Sequence, residues 1–466
     1  MKKLITLDYT NMSDAAVGAR NGVSISALKA LSDAVRKHHR NLIAMQKTGR
    51  LGFADLPFDP QPVRAVQQSA RRRKGKYENL VVLGIGGSAL GVTALQTALN
   101  SPLYNLDARI RHGRPRLFVL DNVDPDALDQ VLSFVDPRKT LFNVITKSGS
   151  TSETMGQYLL VRKLLQDTLK GRFAQNIVCT TDAAKGDLRK LVAQDGYESF
   201  VIPENVGGRF SVLTPVGLFP AEMVGIPADR LMAGAAHVAR ECSSASLLKN
   251  PAYIFAACQY LAATKKGKNV AVLMPYAASL RDVADWFRQL WAESLGKRVD
   301  TAGRVVHTGQ TPVKALGVTD QHSQMQLYVE GPADKVVTFL HVERFRSKLS
   351  FPRGPRGYSS LNYLGGKKVA DLMEAEFQGT RMALTRSQRP NMTFSIRSVT
   401  PEAVGGLFQL FELANAMSGE LYGINAFDQP GVEAGKEAAY ALMGRKGYDE
   451  LCRSIESAMK AKALRV

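Results

Sequence analysis

Two short stretches of the chain hold the residue types that bind an anion. The first, "VVLGIGGSALG" at 81–91, is an apolar run that breaks into a glycine-rich turn carrying Gly87 and Ser88. The second, "NVITKSGSTSET" at 143–154, follows another apolar run and sets six hydroxyl side chains around Lys147 and Gly149. A nucleoside-triphosphate loop needs a lysine directly after its glycines, and none follows here. A dinucleotide fingerprint is met by Gly84, Gly86 and Ala89, but Asp121 lies too far on for the ribose-binding acid expected roughly 20 residues later. In the second stretch Ser150 and Glu153 have the spacing of a capping box, which predicts a helix N-terminus where free N–H groups and the helix dipole favour an anion. Hydroxyls and N–H groups without a magnesium-holding motif suit a phosphate monoester. The plainer readings also stand at this point: glycines for a tight turn, and hydroxyls for capping alone.

The elements around these stretches alternate. Short apolar runs at 80–85, 117–120, 141–146, 176–180 and 199–202 read as strands, and between them lie helical spacings such as Ala127, Leu128, Val131, Leu132 and Val135. That alternation predicts parallel strands covered on both faces, hence an α/β doubly wound domain. The pattern restarts near 250. "PAYIFAACQYLAATKKG", "DVADWFRQLWAESLGK", "KKVADLMEAEFQGTRMALTR" and "PEAVGGLFQLFELANAMSGEL" read as helices, and "NVAVLMPY", "KVVTFLHVE" and "NMTFSIRSV" as strands. Ahead of both halves, 24–50 reads as one helix with Ile25, Leu28, Leu31, Val35 and Leu42 on a stripe. The expected division is a helical segment at 1–60, α/β domains at 61–230 and 250–425, and a C-terminal segment at 426–466. The 344–366 loop is a candidate for mobility. Two glycine- or hydroxyl-rich turns after strands of one parallel sheet would both lie at its carboxyl edge, where such sheets bind ligands, and a sugar phosphate fits there.

Composition narrows the classes. The chain has 466 residues, 45% hydrophobic and 22% charged, and fits two globular domains. No apolar stretch approaches the roughly 18 residues of a membrane span, and the N-terminus lacks the apolar core of a signal peptide, so a cytoplasmic protein without membrane contact is expected. Cys179, Cys242, Cys258 and Cys452 are scattered, which indicates neither a disulfide framework nor a zinc site. The net charge of +19 is dispersed apart from the run at 71–76, so it reads as a solvated basic surface that can draw in an anionic substrate, not as a nucleic-acid face.

"GIGGSALG", "TKSGSTSET", "VGGRFSVLTPVGL", "QLWAESLGK", "QHSQMQL" and "FDQPGVEAGK" together resemble, in this order, the signature segments of the phosphoglucose isomerase family, over about residues 80–440. The resemblance implies two doubly wound parallel-sheet sugar-isomerase (SIS) domains with flanking helices. It implies aldose–ketose isomerisation of glucose 6-phosphate and fructose 6-phosphate in a cytoplasmic homodimer, with no cofactor and no metal. By the same resemblance Ser88, Thr146, Ser148 and Thr151 hold the phosphate, with Lys147 in the same substrate-binding loop and Gly87 offering backbone, and Gln289 and Gln429 contact substrate. Arg209 stands beside the reacting carbons, Glu293 is the catalytic base, and His322 and Lys436 open the sugar ring, with His322 supplied by the neighbouring subunit. Pro430 departs from the aromatic residue many members carry there.

These residue types suit the chemistry. A carboxylate can carry a proton between adjacent carbons, an arginine stays protonated beside an enediolate, and a histidine exchanges protons near neutral pH. Two rivals remain. A sugar-phosphate-binding module would keep the hydroxyl loop without needing Glu293, His322 or Lys436. An isomerase that also accepts mannose 6-phosphate would look the same in sequence.

Overall fold

The computed structural model describes residues 3–461. The chain opens with a short strand, β1 (Ile5–Asp8), before its first helices. The stripe at 24–50 forms two helices, Ile25–Ala30 and Ser32–Lys47, because the chain turns at Leu31, whose N–H bonds the Leu28 carbonyl.

The first sheet contains β2 (Asn79–Leu83), β3 (Arg116–Leu120), β4 (Thr140–Ile145), β5 (Ile177–Thr181) and β6 (Glu198–Val201), in the order β3-β2-β4-β5-β6, all parallel. All five apolar runs of this half are strands. The central pair, β2 and β4, is buried at every position, as strands covered by helices on both faces must be.

The second sheet contains β7 (Val270–Pro275), β10 (Thr311–Lys314), β11 (Lys335–Val342) and β12 (Asn391–Ile396), ordered β1-β12-β11-β7-β10. A hairpin of β8 (Lys297–Val299) and β9 (Val305–Thr308) stands apart from it. Here the expected division changes. The 1–60 segment is not wholly helical: β1 closes the second sheet antiparallel to β12, with Ile5 opposite Ile396. β10 is an edge strand of four residues with Pro312 inside it, tolerated because it pairs only with β7, and so short and half-exposed a run gives no apolar signal. The 344–366 loop folds back on itself, with Phe351 N–H on the Lys367 carbonyl and Gly366 N–H on the Phe351 carbonyl.

The two sheets share one winding. In each, the second strand lies on one side of the first, and the third and fourth lie on the other, so the chain reverses direction between β2 and β4, and again between β7 and β11. The long helix Pro401–Tyr422 runs through the shared core, buried from Ala403 to Leu410 and against the helices Ala228–Glu241 and Pro251–Lys266.

Candidate active site

The reversal between β2 and β4 falls at the carboxyl ends of those strands, the place where doubly wound sheets bind ligands. Both the glycine-rich and the hydroxyl-rich turn follow those strands there. After β2 the chain makes a 3-10 turn, Gly86–Ser88, and enters the helix Leu90–Leu99. Gly87 lies against the backbone of Gly208: a Cβ on it would come within 2.1 Å of the Gly208 carbonyl oxygen, so only glycine fits. That contact brings the turn to the one carrying Arg209.

After β4 the loop 146–151 leads into the helix Ser152–Leu169. The expected capping box does not form. Thr151 is the N-cap, and no side chain caps the helix. The Thr151 hydroxyl is turned into the loop instead, 2.9 Å from the Thr146 hydroxyl and 3.2 Å from that of Ser148. Three hydroxyls thus converge at the open N-terminus of an 18-residue helix, a ready anion site. Lys147 points elsewhere: its Nζ donates to the carbonyls of Glu204 at 2.7 Å and Val206 at 2.9 Å, bracing the loop against the 204–206 segment. Burial pushes the Lys147 ammonium pKa down.

Gln289 and Glu293 stand one turn apart on the helix Arg281–Leu295, and a Cβ on Gly86 would come within 3.0 Å of Gln289 Nε2, so this helix lies against the glycine turn. Gln289 Nε2 donates to Glu293 Oε2 at 3.0 Å, while its Oε1 is buried without a partner among the described residues. Glu293 Oε1 lies 3.5 Å from Arg209 Nη1. Arg209 sits in the 3-10 turn Gly208–Phe210 and is 3% exposed. Its Nε donates to the Ser294 hydroxyl, its Nη1 to Gln429 Oε1 at 3.0 Å, and its Nη2 to the carbonyls of Ala426 and Asp428. Burial pulls its pKa down, and the Glu293 and Asp428 carboxylates oppose that. Every guanidinium nitrogen is therefore used, and the side chain ties three distant parts of the chain together.

Arg209, Gln289, Glu293 and Gln429 form one cluster, two hydrogen bonds joined by the Arg209–Glu293 ion pair, with Gly87 against the turn that holds Arg209. His322 and Lys436 are not part of it within one chain. His322 ends the turn Thr319–His322, which is braced by Tyr276 Oη donating to Gln321, by Gln321 donating to Glu376, and by Asp320 accepting from Leu316 N–H. The ring itself is exposed, with no hydrogen-bond partner among the described residues. Lys436 is exposed on the helix Glu433–Leu442, 2.9 Å from Glu433. Ser88 is half-buried in its turn. Sequence reasoning passed over Ser294, Lys297 and Asp428, although Ser294 stands inside the quoted segment "QLWAESLGK", which Lys297 closes, and Asp428 inside "FDQPGVEAGK". Among the described residues no three His, Cys, Asp or Glu side chains gather as a metal site requires.

The chain can be set beside known proteins. A family model described as phosphoglucose isomerase matches residues 65–347 and 367–461. A glucose-6-phosphate isomerase of Carboxydothermus hydrogenoformans is 48% identical over 406 residues, 87% of each chain. One from Rubrobacter xylanophilus is 40% identical, covering 95% of this chain and 99% of its own. Among solved structures, a hypothetical protein of Thermus thermophilus superposes with a TM-score of 0.83 at 34% identity, over 94% of this chain and 100% of that one. A glucose-6-phosphate isomerase of Chlamydia trachomatis gives 0.82 at 21% identity over 98% and 92%, a likeness of fold.

Proposed function

Because the chain belongs to the phosphoglucose isomerase family, we propose that the Arg209–Glu293 pair is where its proton transfer takes place. The protein is an aldose–ketose isomerase that interconverts glucose 6-phosphate and fructose 6-phosphate. The observation that carries the assignment of roles is the geometry of Glu293: one oxygen faces a buried guanidinium and the other accepts from Gln289.

In this reading the phosphate group rests on Thr146, Ser148, Thr151 and Ser88, with the Gly87 backbone beside it. The sugar chain then extends toward Glu293. The carboxylate removes the proton from C2 of the aldose and returns it to C1, the electron pair passes through an enediolate, and the hydroxyl proton passes from O2 to O1. Arg209 stabilises the negative charge that develops on the two oxygens, and Gln429 and Gln289 orient them. A placed general base contributes roughly 10²–10⁴-fold and a fixed charge partner a comparable factor. Ring opening falls to Lys436 and to a histidine. The exposed Lys436–Glu433 pair is weak, so the ammonium is free to turn to substrate. His322, presented outward on its braced turn, serves the neighbouring subunit's site in a homodimer. We place the protein in the cytoplasm.

The test is Glu293→Gln, which keeps size and most hydrogen bonding but cannot take the carbon-bound proton. Isomerisation should fall at least about 100-fold, while sugar phosphate still binds. In deuterated solvent the native protein should label C1 or C2 during turnover, and the variant should lose labelling and turnover together. Near-normal turnover in Glu293→Gln would assign the base elsewhere. An enzyme-coupled assay run on mannose 6-phosphate as well as glucose 6-phosphate decides whether that epimer is a second substrate.

A further inference from the structure

Lys297 follows the helix that carries Gln289 and Glu293, with Gly296 between. It is a lysine only 7% exposed. Its Nζ donates to the main-chain carbonyl of Glu293 at 2.8 Å and to that of Asp428 at 2.8 Å, with Asp428 Oδ1 3.5 Å away. Arg209 reaches the same segment, its Nη2 donating to the carbonyls of Ala426 at 2.7 Å and Asp428 at 3.1 Å. Two buried cations therefore meet on one peptide carbonyl, directly before Gln429. Burial first, and the Arg209 charge second, push the Lys297 pKa down. Placing two like charges together out of water costs stability, and neutral donors could satisfy the same carbonyls. The arrangement makes chemical sense beside a place where negative charge develops.

We propose that Lys297 is a positioning residue for the isomerisation: it clamps the end of the Glu293 helix to the 426–429 segment and adds a second fixed positive charge behind the site. This rests on Glu293 being the base. Lys297 itself touches no reacting atom, since its ammonium is committed to the two carbonyls. What it sets is the separation of Glu293 from Gln429, and a misplacement of about 1 Å in such a pair can cost around 100-fold in rate. The phosphate loop stands on other elements and does not depend on it.

The experiment compares Lys297→Met, Lys297→Arg and Glu293→Gln with the native protein, reading kcat, KM, thermal midpoint and inhibition by inorganic phosphate. Lys297→Met should lower kcat about 10- to 100-fold while KM moves less than about threefold, with the phosphate inhibition constant unchanged. Lys297→Arg, which keeps the cation and its donors, should recover most of the lost kcat. Should Lys297→Met not fold, Lys297→Gln replaces it; it keeps a donor without charge and should turn over more slowly than Lys297→Arg. A Lys297→Met or Lys297→Gln protein with more than half the native kcat overturns the proposal. A rise in KM with kcat unchanged overturns it too, as does an equal loss in the neutral and arginine variants that tracks a lower thermal midpoint. Glu293→Gln keeps the two claims apart. Normal turnover there removes the base assignment whatever Lys297 does, whereas an inactive Glu293→Gln beside an unimpaired Lys297→Met removes the Lys297 assignment alone.

Discussion

Arg209 and Glu293 face each other at 3.5 Å, the arginine side chain 2% exposed and the glutamate 23%. A buried cation that keeps its proton thus stands beside a carboxylate that substrate can still reach. The guanidinium fork spends its donors on Ser294, Gln429, Ala426 and Asp428. Lysine has the charge but not the fork, so Arg209→Lys should lower kcat by about 10²–10³. Steady-state kinetics in both directions check this, and a loss smaller than tenfold would show that charge alone suffices.

Ser148→Ala and Thr151→Ala should raise KM more than they lower kcat, because phosphate contacts are made equally in ground and transition states. The hydroxyls of Thr146, Ser148 and Thr151 also bond one another. Their effects on KM should therefore be non-additive in the double variant. Unchanged KM in both single variants would place the phosphate elsewhere.

If His322 serves the neighbouring site, two inactive proteins can repair each other. Glu293→Gln and His322→Gln homodimers, mixed, unfolded and refolded together, should yield hybrids with one intact site. With random pairing in a two-fold dimer, about a quarter of native activity should return. Sedimentation of a fully active monomer, or no recovery despite hybrid formation, would end the claim.

Glu412 lies on the central helix, 0% exposed, with both carboxylate oxygens unpartnered among the described residues. Burial raises its pKa well above the ordinary 4.5. The folded state then holds a proton that the unfolded chain gives up, so stability is greatest below that ordinary value and is lost as pH rises toward the folded pKa. Glu412→Gln removes the penalty. It should raise the thermal midpoint at pH 8 and change it less at pH 5, and the opposite ordering would mean that the carboxylate is ionised and paired in the fold.

The legible parts of the chain were those with a strong local signal. Buried parallel strands such as those at 80–83 and 141–145 come from apolar runs bounded by turn residues, a pattern that stands out from the helical spacings around them. The edge strands β1 and β10 are short and half-exposed, and their pairing is settled by partners far along the chain. The capping box misled for a related reason. Ser150 and Glu153 have the right spacing, but Thr151 takes the N-cap position and its hydroxyl goes to Thr146. Of the site, Glu293, Arg209 and Gln429 have no local signal of their own and were marked only by the joint resemblance of the segments that carry them. Lys297 had only its spacing from Glu293 to recommend it, and its partner Asp428 comes from another part of the chain.

The pairing of β1 with β12 also has a bearing on synthesis. The first sheet has all its strands once the ribosome has passed Val201, so that half can close while the chain is still growing. The second sheet joins one of the earliest-made strands to its last, Ile5 to Ile396. Until β12 emerges, Ile5–Asp8 has no edge of its own to join, and an unpaired strand is an invitation to wrong partners. Completion of this sheet therefore waits until Ile396 has been made, although β7, β10 and β11 pair without it, and the N-terminal strand stays available for that long.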